Sequence, residues 1–325
     1  ATDHPAVAGA LGVFASVALG LGLSVFATVF VQHYGWGLFV GTPFMMGFFG
    51  ALFHGFTRVR TWGQCAMVAM ASMTLVCALL LVVAIEGIFC LAMAAPIGFA
   101  LALLGATAGW VVQLERWSRR LDEIRLYAAA WLLAPALLAV EAADPAPTPL
   151  IEATTVCEIA APVEAVWRHV LSFGELPPPT EAIFLAGIAY PVRARLDGHG
   201  VGAVRYCEFS TGPFVEPITA WDENRQLAFD VSAQPHPMRE WSPYAEIRPA
   251  HLEGFFRSRR GEFRLTPLPG NRTRLEGTTW YEQSIWPQNY WRPWSDYLVH
   301  AIHRRVLTHI KTGAERTPLR ETNPL

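Results

Sequence analysis

The sequence predicts a protein in two parts: a bundle of four or five apolar helices, then an α+β domain whose curved antiparallel sheet packs around a long C-terminal helix. Two observations predict this architecture. Residues 5–57 contain no Asp, Glu, Lys or Arg, and Glu86 is the only such residue in 61–114, whereas residues 145–325 contain 19 basic and 20 acidic residues. From residue 152 onward, strand and helix patterns alternate with clear turn signals.

The change in composition divides the chain into a helical region at 1–144, a linker at 145–150 and a soluble domain at 151–325. The run AADPAPTP at 142–149 contains three prolines and no apolar periodicity. Such a composition is typical of a short, semi-extended spacer. We therefore treat the two regions as separate folding units.

Four stretches of the helical region are long enough and apolar enough to cross a bilayer, at 7–31, 37–57, 62–85 and 87–112. The first lacks the basic start of a secretory signal and is followed at once by another span, so we expect it to remain in the mature protein. A fifth stretch, 126–140, is only 15 residues long. It fits either a short span or a helix lying in the membrane interface.

The basic residues of the connections predict the orientation. Arg58 and Arg60 follow the second span, whereas the first and third connections have no basic residue. Four arginines follow the fourth span: Arg116, Arg119, Arg120 and Arg125. Both basic connections should be cytoplasmic, with the N-terminus inside. If 126–140 crosses, the soluble domain is periplasmic, which we favour for a multi-pass protein of the bacterial inner membrane. If 126–140 lies on the membrane, the domain is cytoplasmic.

Small residues and prolines inside the spans indicate close helix packing. Gly37 and Gly41, and likewise Gly105 and Gly109, have the GxxxG spacing that lets helix backbones approach, and Pro43 and Pro96 can kink their helices. Ionisable residues, which a transport path needs, come close to the spans only near their ends: His33, His54 and Glu86. We interpret the bundle as an anchor or assembly surface rather than a transporter.

The soluble domain begins with a strand at 152–159, a helix at 163–173 that starts behind Pro162, and a short helix at 180–186. Six strand patterns follow, bounded by turns such as DGHG, DENR and LPGN: 192–196, 202–209, 214–221, 226–232, 255–265 and 273–284. A long helix at 288–315 closes the domain. This order suits an antiparallel sheet wrapped around one helix.

Three of these segments carry a family resemblance: TTVCEIAAPVEAVWRHVLSF at 154–173, GVGAVRYCEFSTG at 200–212 and AWDENRQLAFDV at 220–231. They resemble the first strand and A-P-x-x-x-V-W helix, the G-x-G-x-x-R strand and the following hairpin of the SRPBCC or START-like superfamily, which includes polyketide cyclases and lipid carriers. The resemblance covers about 152–315. It implies a helix-grip fold with an apolar cavity between the sheet and the long helix.

A cavity that orients an apolar ligand needs a few polar groups among apolar walls. By resemblance in register, we select Glu216, Arg257 and Glu276, although strand alternation leaves inward and outward placements equally open. An aromatic cluster before and along the last helix could line a ligand mouth, dip into a bilayer interface or simply pack the helix on the sheet. We select from it Trp280, Tyr281, Tyr290, Trp294 and Tyr297, leaving aside Trp286 and Trp291.

Other kinds of site find less support. The balanced charge lacks the footprint of a nucleic-acid binder. His300, His303 and His309 share one helix but have no Cys, Asp or Glu at a matching spacing, so we predict no metal or cofactor. Hydrolase and phosphate-binding motifs are missing. Cys157 and Cys207 could form a disulfide in an oxidising compartment. The charged run at 257–264 fits a solvated strand face, an ion-pair ladder or a contact with anionic lipid.

These features support three hypotheses. The first is a membrane-anchored module that binds or transfers a lipid-like or other apolar molecule, because tethering raises its concentration beside the bilayer. The second is a cyclase- or aromatase-like enzyme that uses Glu216, Arg257 or a tyrosine as acid or base. The third is an accessory subunit of a larger membrane complex. We predict binding rather than catalysis and designate no catalytic residue.

Overall fold

The computed structural model describes residues 4–116, 135–136, 138–143, 147–244, 247 and 249–316. Contacts divide the chain into two units. The helical unit comprises Ala1–Pro147, Glu240–His251 and Ile285–Gln288, and the sheet unit comprises Thr148–Arg239, Leu252–Ser284 and Asn289–Leu325. The helical unit thus includes two short segments of the C-terminal half, which the sequence did not indicate. The predicted boundaries at 144 and 151 stay predictions.

Within the described part of the helical unit, four helices are long and apolar enough to cross a membrane. Helix α1 (Pro5–Val25) continues as a π-helical segment, Phe26–Val31, and a second π-helical segment, Gly37–Gly41, leads into α2 (Thr42–His54). Helices α3 (Trp62–Val82) and α4 (Ile88–Arg116) follow. The candidate spans are Ala6–Val31, Gly37–His54, Trp62–Val82 and Ile88–Leu114. All four predicted stretches are therefore helical.

Close packing of α2 on α4 depends on glycine. A Cβ atom on Gly47 would overlap the backbone carbonyl of Ala102, and one on Gly105 would overlap that of Phe44. Gly109, one turn after Gly105, lies against the carbonyl of Phe48 in the same way. Small residues at a helix interface permit this approach. The predicted packing role of Gly105 and Gly109 is confirmed.

Only part of the predicted fifth stretch, 126–140, lies among the described residues, namely 135–136 and 138–140, and these are helical. Leu138 is buried against α1 and α2. The carboxylate of Glu141 accepts hydrogen bonds from the backbone N–H groups of Trp36, at 2.5 Å, and Gly37, at 2.8 Å. Residues 138–143 therefore end beside the connection between the first two spans.

The sheet unit contains one antiparallel sheet of seven strands in the order β1-β7-β6-β5-β4-β3-β2. Its strands are β1 (Leu150–Ile159), β2 (Pro191–Asp197), β3 (Val204–Phe209), β4 (Gly212–Asp222), β5 (Gln226–Asp230), β6 (Phe256–Leu268) and β7 (Arg272–Gln283). The described residues of this unit also form three α-helices: α5 (Val163–Leu171), α6 (Ala182–Leu185) and α7 (Gln288–Arg316). The predicted α+β class, a curved antiparallel sheet with a long C-terminal helix, is confirmed.

Helix α5 ends at Leu171, two residues before the predicted end, because Phe173 forms an antiparallel bridge with Ala194 of β2. Helices α5 and α7 bury apolar stripes against the inner face of the sheet. Val166 and Val170 of α5 and Leu307 and Ile310 of α7 are almost completely buried in the main core. Burying side chains of this size contributes about 1.5–3 kcal/mol each, so this layer holds both helices on the sheet.

Candidate functional site

A buried ion pair lies on the inner face of the sheet. Arg205 of β3 and Glu216 of β4 are directly opposite each other in the antiparallel register, so the Arg205 Nη1 group donates to Glu216 Oε2. The relative exposure is 2% for Arg205 and 6% for Glu216. Because residues on one strand alternate between faces, Ala203, Arg205 and Cys207 all point inward.

Aromatic rings surround the Arg205 guanidinium. Its Cζ atom lies 5.6 Å from the ring centroids of Phe173 and Phe229 and 5.5 Å from that of Phe263. Such faces attract a cation without satisfying its N–H groups. Among the described residues, Nε of Arg205 has no hydrogen-bond acceptor. The Nε–H group of Arg205 is therefore a buried donor with no acceptor among the described residues.

Burial dominates the protonation chemistry of this pair. Removal from water raises the pKa of Glu216, and the neighbouring Arg205 charge opposes that rise without cancelling it. Burial also raises the pKa of the adjacent Cys207 thiol to about 12. Cys207 is therefore a neutral thiol at physiological pH, and neither it nor Cys157 forms a disulfide.

An open cleft of about 660 Å³ lies beside this buried pair. It runs between the end of α5 and strand β2, and Phe173 forms part of both the cleft wall and the surroundings of Arg205. The walls combine apolar and basic side chains: Arg168, His169, Ser172, Phe173, Gly174, Ala194, Arg195 and Leu196. Burial lowers the pKa of His169, and the nearby Arg168 charge adds to the effect. An apolar molecule with a polar group matches such a lining.

A second polar group lies between the sheet and α7. The ring nitrogens of His303 lie 3.0 Å from the Thr155 hydroxyl and 2.7 Å from the Thr279 hydroxyl. The Thr155 hydroxyl also contacts His300 Nδ1, at 2.7 Å. Burial lowers the pKa of His303 to about 4, so its ring is neutral at pH 7. Both of its nitrogens are already engaged, and His309 instead packs against Phe173.

Two of the predicted ligand-binding residues point into the interior, Glu216 and Tyr281. The Tyr281 ring is completely buried, and its hydroxyl lies 2.9 Å from Ser295 Oγ and donates to Asp296 Oδ1 at 2.6 Å. Burial raises the pKa of this phenol, and the Asp296 hydrogen bond adds to the rise. Tyr281 and Glu216 do not contact each other.

Three predicted residues lie on the other face of the sheet or at its surface. Glu276 pairs with Arg274 at 2.7 Å, and Trp280 lies under the Arg260 guanidinium, 3.9 Å from its ring centroid. Arg257 is exposed. In the same 257–264 run, Arg259 forms an ion pair with Glu282 at 2.6 Å and Arg264 forms one with Glu262 at 2.8 Å. These contacts agree with the interpretation of this run as an ion-pair ladder.

The remaining predicted residues lie on the first turns of α7. Tyr290 packs edge-to-face on Trp291, with ring centroids 5.1 Å apart, Trp294 is half-buried, and Tyr297 is 50% exposed. The ligand role of all eight selected residues stays a prediction. The sequence analysis did not select Arg205, although it stands in the G-x-G-x-x-R motif. The signal in the sequence was strand alternation, which puts Arg205 on the same face as the apolar residues Ala203 and Cys207.

Comparison with known proteins adds a family and several similar structures. The family described as polyketide cyclase / dehydrase and lipid transport matches residues 151–314. Similar solved structures include the Zhui aromatase/cyclase from Streptomyces sp. R1128, 14% identical over 52% of this chain and 95% of that one, with a TM-score of 0.34. Truncated norcoclaurine synthase from Thalictrum flavum is 10% identical, with 54% and 99% coverage and a TM-score of 0.33.

A protein from Nitrosospira multiformis is 18% identical over 50% of this chain and 94% of its own, with a TM-score of 0.29. No protein with a curated description matches the sequence. The similarities to solved structures cover about half of this chain.

Proposed function

Because the chain belongs, through residues 151–314, to the polyketide cyclase / dehydrase and lipid transport family, we propose that it is a membrane-anchored binding or transfer protein for an apolar molecule with a polar group. The ligand occupies the cleft between α5 and β2, with its apolar body against Phe173 and Leu196. The observation that carries the proposal is the buried Arg205–Glu216 pair beside this cleft, with an unused donor at Arg205 Nε.

The pair is costly to keep for stability alone. Removing two charges from water costs several kcal/mol per ion, and well-packed apolar residues in their place are often neutral or stabilising. A polar group on the ligand gives such a pair a function, because the buried Arg205 N–H needs an acceptor and the apolar side chains around it offer none. A hydroxyl, carbonyl or carboxyl oxygen on an otherwise apolar molecule has the required chemistry.

The four candidate spans support membrane anchoring, and the contacts of Glu141 bear on which side of the membrane the soluble domain occupies. Gln113, near the end of α4, accepts from the backbone of Arg60 at 3.0 Å, at the end of the bundle with the basic connections. Glu141 contacts Trp36 and Gly37, at the start of the second span. That span has 18 residues, or about 27 Å of helix, so Gln113 and Glu141 contact opposite ends of it.

We therefore expect residue 141 on the outer side when the basic connections are inside. Residues 240–251 are at the same end, since the N–H of Ile88 donates to the Trp241 carbonyl at 2.9 Å. These contacts support a periplasmic position for residues 240–251. Tethering at this surface keeps the binding site beside a lipid source and removes the diffusional search.

A second candidate function is catalysis in the same cleft. The raised pKa of Glu216 suits a carboxyl group that carries and returns a proton. A cyclase- or aromatase-like reaction would then be lost in Glu216→Gln while ligand binding persisted. If Glu216 serves only recognition, the same substitution weakens binding and no turnover is found in the wild type.

Photo-cross-linking of the full chain in its native membrane tests the proposal. Membranes are loaded with a diazirine-bearing fatty acid, irradiated and digested, and labelled peptides are mapped by mass spectrometry. We expect label in peptides covering 168–174 and 194–196, as well as in the lipid-facing helices. Label confined to residues 4–116 would overturn the proposal.

A matched pair of variants sharpens this experiment. A Cβ atom on Gly174 meets no atom within 4 Å, so Gly174→Phe places a ring in the cleft without a clash at its base. Glu223→Phe adds the same ring at an exposed turn between β4 and β5. We expect Gly174→Phe to remove cleft labelling relative to the helices, and Glu223→Phe to leave it unchanged. Equal labelling in the two variants contradicts binding in the cleft.

A further inference from the structure

A cluster of metal-ligand side chains lies inside the helical unit, where the α3–α4 connection meets residues 240–251. The ligand atoms of Glu86, Cys90 and His251 all lie within 4.8 Å of one another. His251 Nε2 is 2.8 Å from Cys90 Sγ and 3.7 Å from Glu240 Oε1, whereas His251 Nδ1 is 3.1 Å from Glu86 Oε2. These residues take no part in the proposed ligand cleft.

Glu240 supplies an independent indication of a ligand. Its side chain is completely buried, and neither carboxylate oxygen has a hydrogen-bond partner within the described part of the chain. Leaving a buried carboxylate without hydrogen bonds is strongly unfavourable. Gly87 makes room for it, because a Cβ atom there would overlap Glu240 Oε2. The chain thus shapes a space for an acidic group whose oxygens accept no hydrogen bond from the described residues.

We propose that His251 Nε2, Cys90 Sγ and a Glu240 oxygen bind a divalent transition-metal ion, with zinc the best match. Thiolate, imidazole and carboxylate together are a typical zinc donor set, and three protein ligands leave a fourth position for water. Zinc bond lengths of about 2.3 Å to sulfur and about 2.0 Å to nitrogen place tetrahedral ligands about 3.5 Å apart. The present 2.8 Å contact between Nε2 and Sγ opens by less than about 1 Å to reach this geometry.

Glu86 and Tyr34 form the outer layer of this site. A histidine ligand usually donates its second ring N–H to a carboxylate, which sets the tautomer and the ring orientation. His251 Nδ1 faces Glu86 Oε2, and the Tyr34 hydroxyl donates to Glu86 Oε1 at 2.9 Å. The Tyr34 ring also packs edge-on against the His251 ring at 5.5 Å. Glu86 is therefore a positioning residue.

Metal binding at this cluster is coupled to proton release. The ion binds the thiolate of Cys90 and the unprotonated Nε2 of a neutral His251 ring, so the thiol proton, and any proton on Nε2, leave to solvent when the metal binds. The bound ion would join residues 240–251 to the start of α4.

Cobalt titration of the full chain in detergent tests the site, after removal of metal with a chelator. We expect one Co²⁺ per chain, a thiolate-to-cobalt charge-transfer band with visible ligand-field bands, and loss of these bands when Zn²⁺ is added. The bands should be missing in Cys90→Ser and His251→Gln but present in Cys77→Ser, which changes a cysteine outside the cluster. A wild-type chain without a thiolate band overturns the proposal, as does a band that survives in Cys90→Ser.

Three further variants distinguish the metal ligand from the positioning residue and leave the thiol in place. Glu86→Gln should weaken metal affinity by roughly 10- to 100-fold, as outer-layer substitutions do, and Glu240→Gln should weaken it more. Gly87→Ala changes no ligand yet should also weaken binding, since its methyl group displaces the Glu240 carboxylate. Equal affinities in all three variants and the wild type would show that the metal binds elsewhere. The wild-type spectrum remains informative even if a variant fails to fold.

Discussion

Replacing either member of the Arg205–Glu216 pair should destabilise the sheet unit strongly, and unequally. Removing one partner of a buried ion pair costs about 3–5 kcal/mol because the other charge remains buried. Arg205 is 2% exposed and cannot lose its proton, so Glu216→Leu belongs at the top of this range. Arg205→Met leaves a glutamate that can neutralise itself by binding a proton, and belongs at the bottom.

The double variant Arg205→Met/Glu216→Leu should be far more stable than the sum of the single variants predicts, since no charge remains buried. A matched control is available on the neighbouring strands. Arg193 of β2 and Glu208 of β3 are opposite each other and form a 2.7 Å ion pair, with side chains 58% and 30% exposed. Breaking this surface pair should cost less than about 1 kcal/mol.

Hydrogen exchange of the β3 and β4 amides in the full chain measures the change in the free energy of unfolding for each variant. It does so without assuming that both units unfold together. The Arg205→Met variant has a pH signature of its own. Glu216 then has a pKa above its unfolded value, so the folded state binds more protons, and stability rises as pH falls. If Arg205→Met costs no more than Arg193→Met, the pair is hydrated and the reasoning fails. A stable double variant that still binds ligand would limit the pair to a structural role.

Two further predictions concern helix packing and histidine burial. Gly47→Ala should lower the melting temperature of the helical unit, because the added Cβ overlaps a carbonyl of α4. The control Gly22→Ala, whose Cβ meets no atom within 4 Å, should leave the melting temperature unchanged or raise it. Equal melting temperatures in the two variants would contradict the close packing. The pKa of His303 is lowered to about 4 by burial, so an unfolded chain takes up the proton first as pH falls below about 6.5. Protection of α7 amides should then decrease between pH 6.5 and 4 by up to about 3 kcal/mol, and His303→Gln should remove most of that dependence; an unchanged pH profile in the variant would assign the loss to other groups.

Local signals in the sequence determined the elements of this protein. The charge-free run at 5–57 and the single Glu86 in 61–114 predict membrane-length helices, because hydrocarbon tolerates few ionised groups. Pro162 predicts the start of α5, and the turn residues predict the strand order. These properties depend on neighbours in the chain, and composition and periodicity are sufficient to read them.

Only the tertiary structure decided which polar residues meet. Glu276 and Tyr281 both lie on β7, but they point to opposite faces, because a shift of one residue in register exchanges the two faces of a strand. Likewise, Arg205 faces Glu216 only through the register of β3 with β4. Cys90 and His251 are far apart in sequence, and no local pattern connects them. The sequence by itself determined the helices, the strands and the family; long-range packing decided the buried pair and the Glu86–Cys90–His251 cluster, since contacts between distant residues leave no periodic trace in the chain.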